Sequence, residues 1–187
     1  MTHFEYLFVA VSIVLSFTLL RLLDSLPTTF SRTRGYWVHA VWVAFLLFLC
    51  AGFWWLNWAN RNLNLTYGYF LFLLGGPSIL FLTATSLVSA SPTDVLDWRE
   101  HFYRVRVRFF LGALSYVSIL TINSFVTLGI PFNHPLRSGE GVMIGLFCAG
   151  AAFRSERSQA IVGGLAAFWL ALVVLLATSG RLPMTLE

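Results

Sequence analysis

Residues 65–90 read LTYGYFLFLLGGPSILFLTATSLVSA, a run with no charged side chain and with Gly75, Gly76 and Pro77 at its middle. At 1.5 Å of rise per residue, a helix of roughly 26 residues reaches ~39 Å, more than the ~30 Å hydrocarbon layer of a bilayer. The run therefore predicts a transmembrane helix. Its proline predicts a kink, because the ring nitrogen donates no hydrogen bond and the ring crowds the preceding turn. Carbonyls freed at such a site need partners in lipid. The second half of the run carries hydroxyls that can serve: Ser78, Thr83, Thr85, Ser86 and Ser89.

The same pattern recurs on both sides of this run. Apolar stretches bounded by charge predict helices over about residues 4–23, 36–58, 65–90, 105–130, 138–153 and 159–178, an all-α integral membrane bundle of about six transmembrane helices forming one domain, 1–187. The fifth is the shortest. Its uninterrupted apolar part, Gly141 to Phe153, makes only ~20 Å of helix and crosses only if it extends back through Glu140 and Leu136. Composition agrees with a lipid solvent: 58% of the 187 residues are hydrophobic, 11% are charged, and the mean hydropathy is +0.77. Soluble domains carry about 25% charged residues. The opening MTHFEY lacks the positive region of a secretory signal, so the first run is read as a helix.

All 12 basic side chains are arginine. With six crossings, Arg21, Arg32, Arg34, Arg99, Arg104, Arg106, Arg108, Arg154 and Arg157 gather at the odd-numbered connections, against Arg61, Arg137 and Arg181 on the other side. That asymmetry predicts cytoplasmic odd connections and both termini outside; a non-crossing fifth segment would dilute it. Aromatic residues mark the interfaces: Trp37 opens the second helix, Trp54, Trp55 and Trp58 close it, and Tyr67 and Tyr69 open the third. Trp42 lies deeper and predicts contact with a neighbouring helix or the acyl boundary.

The third connection reads as an amphipathic helix over about residues 92–104 on the inner leaflet. Ser91 is placed as N-cap, Pro92 at the first helical position and Asp94 near the exposed amides. Trp98, Phe102 and Tyr103 would insert into lipid, while Arg104, Arg106 and Arg108 would meet anionic headgroups. Asp97 with His101 and Glu100 with Arg104 are spaced as i,i+4 pairs. The arginines alternate at the helix mouth, unlike the every-third-residue row of a voltage sensor.

The opening HFEYLFVAVSIVLSFTLLRLLDSL (His3–Leu26), then YWVHAVW (Tyr36–Trp42) and FWW (Phe53–Trp55), resemble a group of short bacterial polytopic membrane proteins with no assigned activity. The resemblance implies a compact helical bundle in a bacterial inner membrane, and Glu5, His39 and Gly76-Pro77 are positions where this chain matches the group's pattern.

Function is read from the polar groups inside the apolar runs. A helix interrupted at Gly75-Gly76-Pro77, followed by Ser78 and Thr83, is how transporters expose backbone to a ligand, although the same residues also make an ordinary kink. Ser115, Ser118, Thr121, Asn123, Ser124 and Thr127 make the fourth helix polar, suited to a pathway or to interhelical hydrogen bonds. Glu5 shares a face with Ser12 and Ser16; it is either an intramembrane carboxylate or one that reaches the interface beside its helix N-terminus. His39 is either a titrating group or a ring satisfied by a backbone carbonyl. Gly141, Gly145 and Gly150, with Ala149 and Ala151, predict a close-packed helix face. The four histidines lack HxxxH or HxxH spacing, and Cys50 and Cys148 sit in apolar runs, so no metal or cofactor is expected. No nucleophile–base set, phosphate loop or basic nucleic-acid patch is present in the pattern, which argues against an enzyme and against nucleic-acid partners. The first expectation is a channel- or transporter-like protein with its pathway at the kinked third helix. The alternative is a non-catalytic accessory or scaffold subunit of a membrane complex, and a sensor working through residues 94–108 ranks third. Partners on any of these readings are the bilayer, anionic headgroups, and further copies or other membrane subunits.

Overall fold

The computed structural model describes residues 3–57, 66–89, 91–127 and 129–179. Within them lie six α-helices: α1 (His3–Thr29), α2 (Trp37–Asn57), α3 (Tyr67–Leu87), α4 (Trp98–Ile122), α5 (Pro135–Ala152) and α6 (Glu156–Thr178). A 3₁₀ turn covers Pro92–Asp94, and α4 runs on into a π turn over Asn123–Thr127. Five helices, all except α5, are long and apolar enough to cross a bilayer. The chain is an all-α, multi-pass membrane protein.

Polar contacts between connections show how the helices alternate. Arg34, between α1 and α2, donates to Thr93 O at 3.0 Å and accepts from Trp98 N at 3.1 Å. Arg99 at the start of α4 pairs with Glu156 at the start of α6, 2.6 Å apart. The odd-numbered connections therefore share one end of the bundle. At the other end Tyr69 OH donates to Asn123 Oδ1 at 2.9 Å, joining the start of α3 to the finish of α4.

This arrangement settles the depth of α5. Its first turns reach Ser124 through Arg137, and its last turn reaches Arg106, so it lies antiparallel to α4 between those two levels. The helix does extend back through Glu140, to Pro135, and its 18 residues span ~27 Å. Arg137 and Glu140 lower its hydropathy, but its ends lie at opposite ends of the bundle.

α2 is the most deeply buried of the spanning helices, although α3 and α4 pack against more of the bundle. Half of the α2 window is buried, a larger share than in any other spanning helix. Trp42 is fully buried among Phe45, Phe109, Phe110 and Phe147, with ring centroids 5.0–5.8 Å away. α6 lies parallel to α2, with Gly163 against Val38 and Trp169 stacked on Phe45 at 5.8 Å.

Several local expectations are corrected. The third connection is no amphipathic helix over 92–104: after the 3₁₀ turn the chain is extended at Val95, and α4 starts at Trp98 with Asp97 as its cap, accepting Arg99 N at 2.7 Å. Ser91 makes no side-chain cap. Trp98 and Phe102 are buried in the core, not inserted in lipid. Trp98 is drawn inward because His39 offers a stacking face at 4.4 Å. Asp97 is taken by its cap and His101 by Leu87 O, while Glu100 and Arg104 do pair, at 2.6 Å. α1 continues past Arg21 and Asp24 to Thr29. Gly141 and Gly145 are exposed with open space beside them, whereas Gly150 lies directly under the Phe110 ring. Trp37, Trp55 and Tyr67 are exposed at helix ends as an aromatic belt requires; Trp58 lies outside the described residues.

Candidate functional site

The polar groups singled out from the sequence fall in separate places, and the middle of α3 is the first. Pro77 has no N–H for the Leu73 carbonyl, yet α3 runs through it as one kinked helix. Ser78 Oγ donates to Leu74 O at 2.8 Å and Thr83 Oγ1 to Ile79 O at 2.7 Å, so both hydroxyls are satisfied within their own helix. The space that a Cβ on Gly76 would fill is bounded by Phe53 of α2 at 3.3 Å and Tyr116 of α4 at 3.8 Å. Two turns on, Thr83 presses against Gly112 so closely that any side chain there would collide with its hydroxyl. At these two levels the small residues let α2, α3 and α4 close on one another. Gly75 is looser, with Ile119 Cδ1 at 3.9 Å from its would-be Cβ.

The polar residues of α4 do not converge on that seam. Ser115 and Ser118 are exposed on the outer surface and return their hydroxyls to Leu111 O and Leu114 O, each at 2.9 Å. Thr121 is half-buried and its Oγ1 has no partner among the described residues. Asn123 is held by Tyr69 at the far end. Glu5 lies on the flank instead: it lines a groove of about 500 Å³ with Phe8, Ser12, Ser16 and Trp54, whose Nε1 donates to Ser12 Oγ at 3.1 Å.

His39 stands at the opposite end from Glu5. It is fully buried, stacked on Trp98, and its Nε2 lies 3.3 Å from Leu87 O. That carbonyl ends α3 and has a second partner, His101 Nε2 at 3.0 Å. Tyr36 and Tyr103 meet alongside at 3.4 Å, where burial and this hydrogen bond push the Tyr36 phenol above its ordinary range.

Two further polar clusters were not expected. Arg106 was read as a headgroup contact with Arg104 and Arg108; it is buried, and its guanidinium donates to Gly150 O at 3.2 Å and also to Phe153 O. Gln159 of α6, also buried, donates to Gly150 O at 2.9 Å and to Phe153 O at 2.5 Å. A cation and an amide thus close the carbonyl end of α5, where the helix dipole is negative. Arg104 and Arg108 remain exposed. At the other end Arg137 donates to Glu140 at 2.8 Å, Ser124 at 2.7 Å and Ile130 O at 2.8 Å, with little of either charged side chain exposed. The π turn at 123–127 aims Asn123 at Tyr69 and Ser124 at this ion pair; one extra residue in a turn rotates its side chains onto new faces.

No family model, characterised protein or solved structure matches this chain. Function is carried by the geometry.

The sequence offered a clue to some of these residues. Arg137 and Glu140 were visible as charges in a marginal span, where an intramembrane ionisable residue calls for a partner. His101 and Gln159 had no such mark. Their acceptors lie in other helices or in a turn whose position depends on packing.

Proposed function

We propose that the protein is a non-catalytic, membrane-embedded subunit that joins other membrane chains through the outward face of α4. The observation that supports this is the exposed row Leu111, Ser115, Ser118 and Ile122, spaced four, three and four residues apart. That spacing keeps one face of a helix toward a partner. The two serines are small, and their hydroxyls are already bonded within α4, so a second helix can approach closely without stranding a polar group. The closed contacts at Gly76 and Thr83 favour this reading over a pore through one chain.

The same row supports a second reading. If several copies surround an axis with α4 inward, Ser115 and Ser118 would line a shared polar channel. On either reading we place the protein in a bacterial inner membrane with the arginine-rich end in the cytoplasm and both termini outside. Arg32, Arg104, Arg108, Arg154 and Arg157 would then lie near anionic headgroups.

Purification in a mild detergent tests both. A Ser115→Phe/Ser118→Phe chain should lose a partner subunit, or its own oligomer, that the native chain retains. A native chain that is monomeric and alone overturns the subunit reading. Ion flux through liposomes that responds to Ser115→Val or Ser118→Val would favour the channel.

A further inference from the structure

At the arginine-rich end, imidazoles from two helices share the carbonyl that ends a third. A carbonyl oxygen only accepts, and it has two lone pairs, so His39 of α2 and His101 of α4 can both donate to Leu87 O if each ring carries its proton on Nε2. Neutral rings in that tautomer leave both Nδ1 atoms bare. His39 Nδ1 is buried with no partner among the described residues. The two rings meet edge-on, 6.5 Å between centroids. We propose that this pair is a proton-operated latch: with neutral rings it ties α2 and α4 to the end of α3, and protonating both rings frees the Leu87 end of α3 from them.

The chemistry follows from position. An imidazolium here loses hydration on burial, a cost that the partial negative charge of the helix C-terminus offsets only in part. A second places like charges on neighbouring rings, one of them with a buried N–H that lacks an acceptor. Histidine is the side chain that ordinarily changes charge between pH 5 and 8. Other charged groups at this end are engaged elsewhere or add to the repulsion. Arg104, three residues along α4, faces His101 and pairs with Glu100. Arg34 holds Thr93 O, Asp97 caps α4, Arg99 pairs with Glu156, and Tyr36 meets Tyr103. Asp94 lies in the 3₁₀ turn, and Arg21 and Asp24 lie in the last turns of α1. Once Leu87 is released, the connection remains tethered through Arg34 at Thr93 and Trp98.

The test is hydrogen–deuterium exchange of the full chain in lipid nanodiscs at pH 7.5 and pH 5.0, corrected for the intrinsic pH dependence of exchange. Protection of the last turn of α3, residues 84–88, should fall by about tenfold or more at pH 5.0, while the middle of α2 is unchanged. In a His39→Gln/His101→Gln chain the amides still donate to Leu87 O but take up no proton, so protection should be the same at both pH values. Loss of protection in that variant equal to the native chain's would assign the response to the carboxylates and overturn the latch; so would an unchanged native chain. If the double variant does not fold, His101→Gln alone should move the transition to lower pH, and an unmoved transition overturns the proposal.

Discussion

The two ends of this bundle are joined by different chemistry. At the end with the odd-numbered connections, beside the exposed Arg99–Glu156 pair and the Tyr36–Tyr103 contact, most joining side chains reach backbone carbonyls: His39 and His101 reach Leu87 O, Arg34 reaches Thr93 O, and Arg106 and Gln159 reach Gly150 O and Phe153 O. At the other end, side chain mostly meets side chain: Trp54 with Ser12, Tyr69 with Asn123, and Arg137 with Ser124 and Glu140. The reason lies in helix ends, whose last four carbonyls lack partners within the helix. α3 and α5 both finish at the first end, and their final carbonyls become the points to which α2, α4 and α6 attach. The difference teaches that the two ends should answer differently to loss of a charge. A lone carbonyl acceptor cannot be deleted along with its donor, whereas an ion pair can.

The largest effect should come from the aromatic layer beneath the first end. Trp42→Ala removes a fully buried ring from among four others, and should cost about 3–5 kcal/mol. It is measured as denaturant unfolding in detergent followed by circular dichroism, and a loss under 1 kcal/mol would mean that this layer does not hold the bundle together. Next is Arg137→Met, which strands Glu140 and should cost about 3 kcal/mol, most of it recovered by adding Glu140→Leu. Failure of the second change to rescue would erase the contrast between the ends. Arg106→Met should cost about 2 kcal/mol, since two carbonyls lose a charged donor. Here no removal of a second charge restores stability, because the acceptors belong to the backbone.

Smaller changes sharpen the picture within α3. Gly76→Ala pushes a methyl toward Phe53 and should destabilise by about 1 kcal/mol. Gly75→Ala meets only ordinary contact with Ile119 and should be neutral or stabilising by up to about 1 kcal/mol through helix propensity. Equal effects at the two glycines would contradict the packing described here. Arg104→Gln, at an exposed i,i+4 pair, should change stability by less than about 0.5 kcal/mol.

The fold was largely legible in the sequence, and the places where it was not have a common cause. Apolar runs located each helix but not all of its ends: α4 starts and finishes earlier than its apolar run, and α1 is longer than its apolar core because Arg21 and Asp24 sit where a helix can leave the hydrocarbon. The glycine-proline centre of α3 was correctly placed and kinked. Its glycine, however, serves close approach of Phe53 and Tyr116, a fact about partners on other helices. The arginines were read by count and side, and Arg104 and Arg108 do lie exposed. Arg106 points inward between them, because successive residues of a helix turn by about 100° and Arg106 falls on the face that meets α5. Trp98 and Phe102 read as lipid anchors by composition; only the nearness of His39 and the aromatic core drew them inside.

By itself the sequence determined that lipid is the solvent of this chain, how many helices it makes, and which connections gather the positive charge. Hydropathy and charge are sums over consecutive residues, so they can be read along the chain without knowing its neighbours. The tertiary structure alone decided that α2 is the most deeply buried spanning helix, that His39 and His101 share one carbonyl, that Arg106 and Gln159 close α5, and that the serines of α4 face outward. Each of these depends on the rotation of a helix about its own axis and on residues as far apart in the chain as Val38 and Gly163. In a nearly uniformly apolar helix the hydrophobic effect sets no preferred rotation; shape and hydrogen bonding between helices set it.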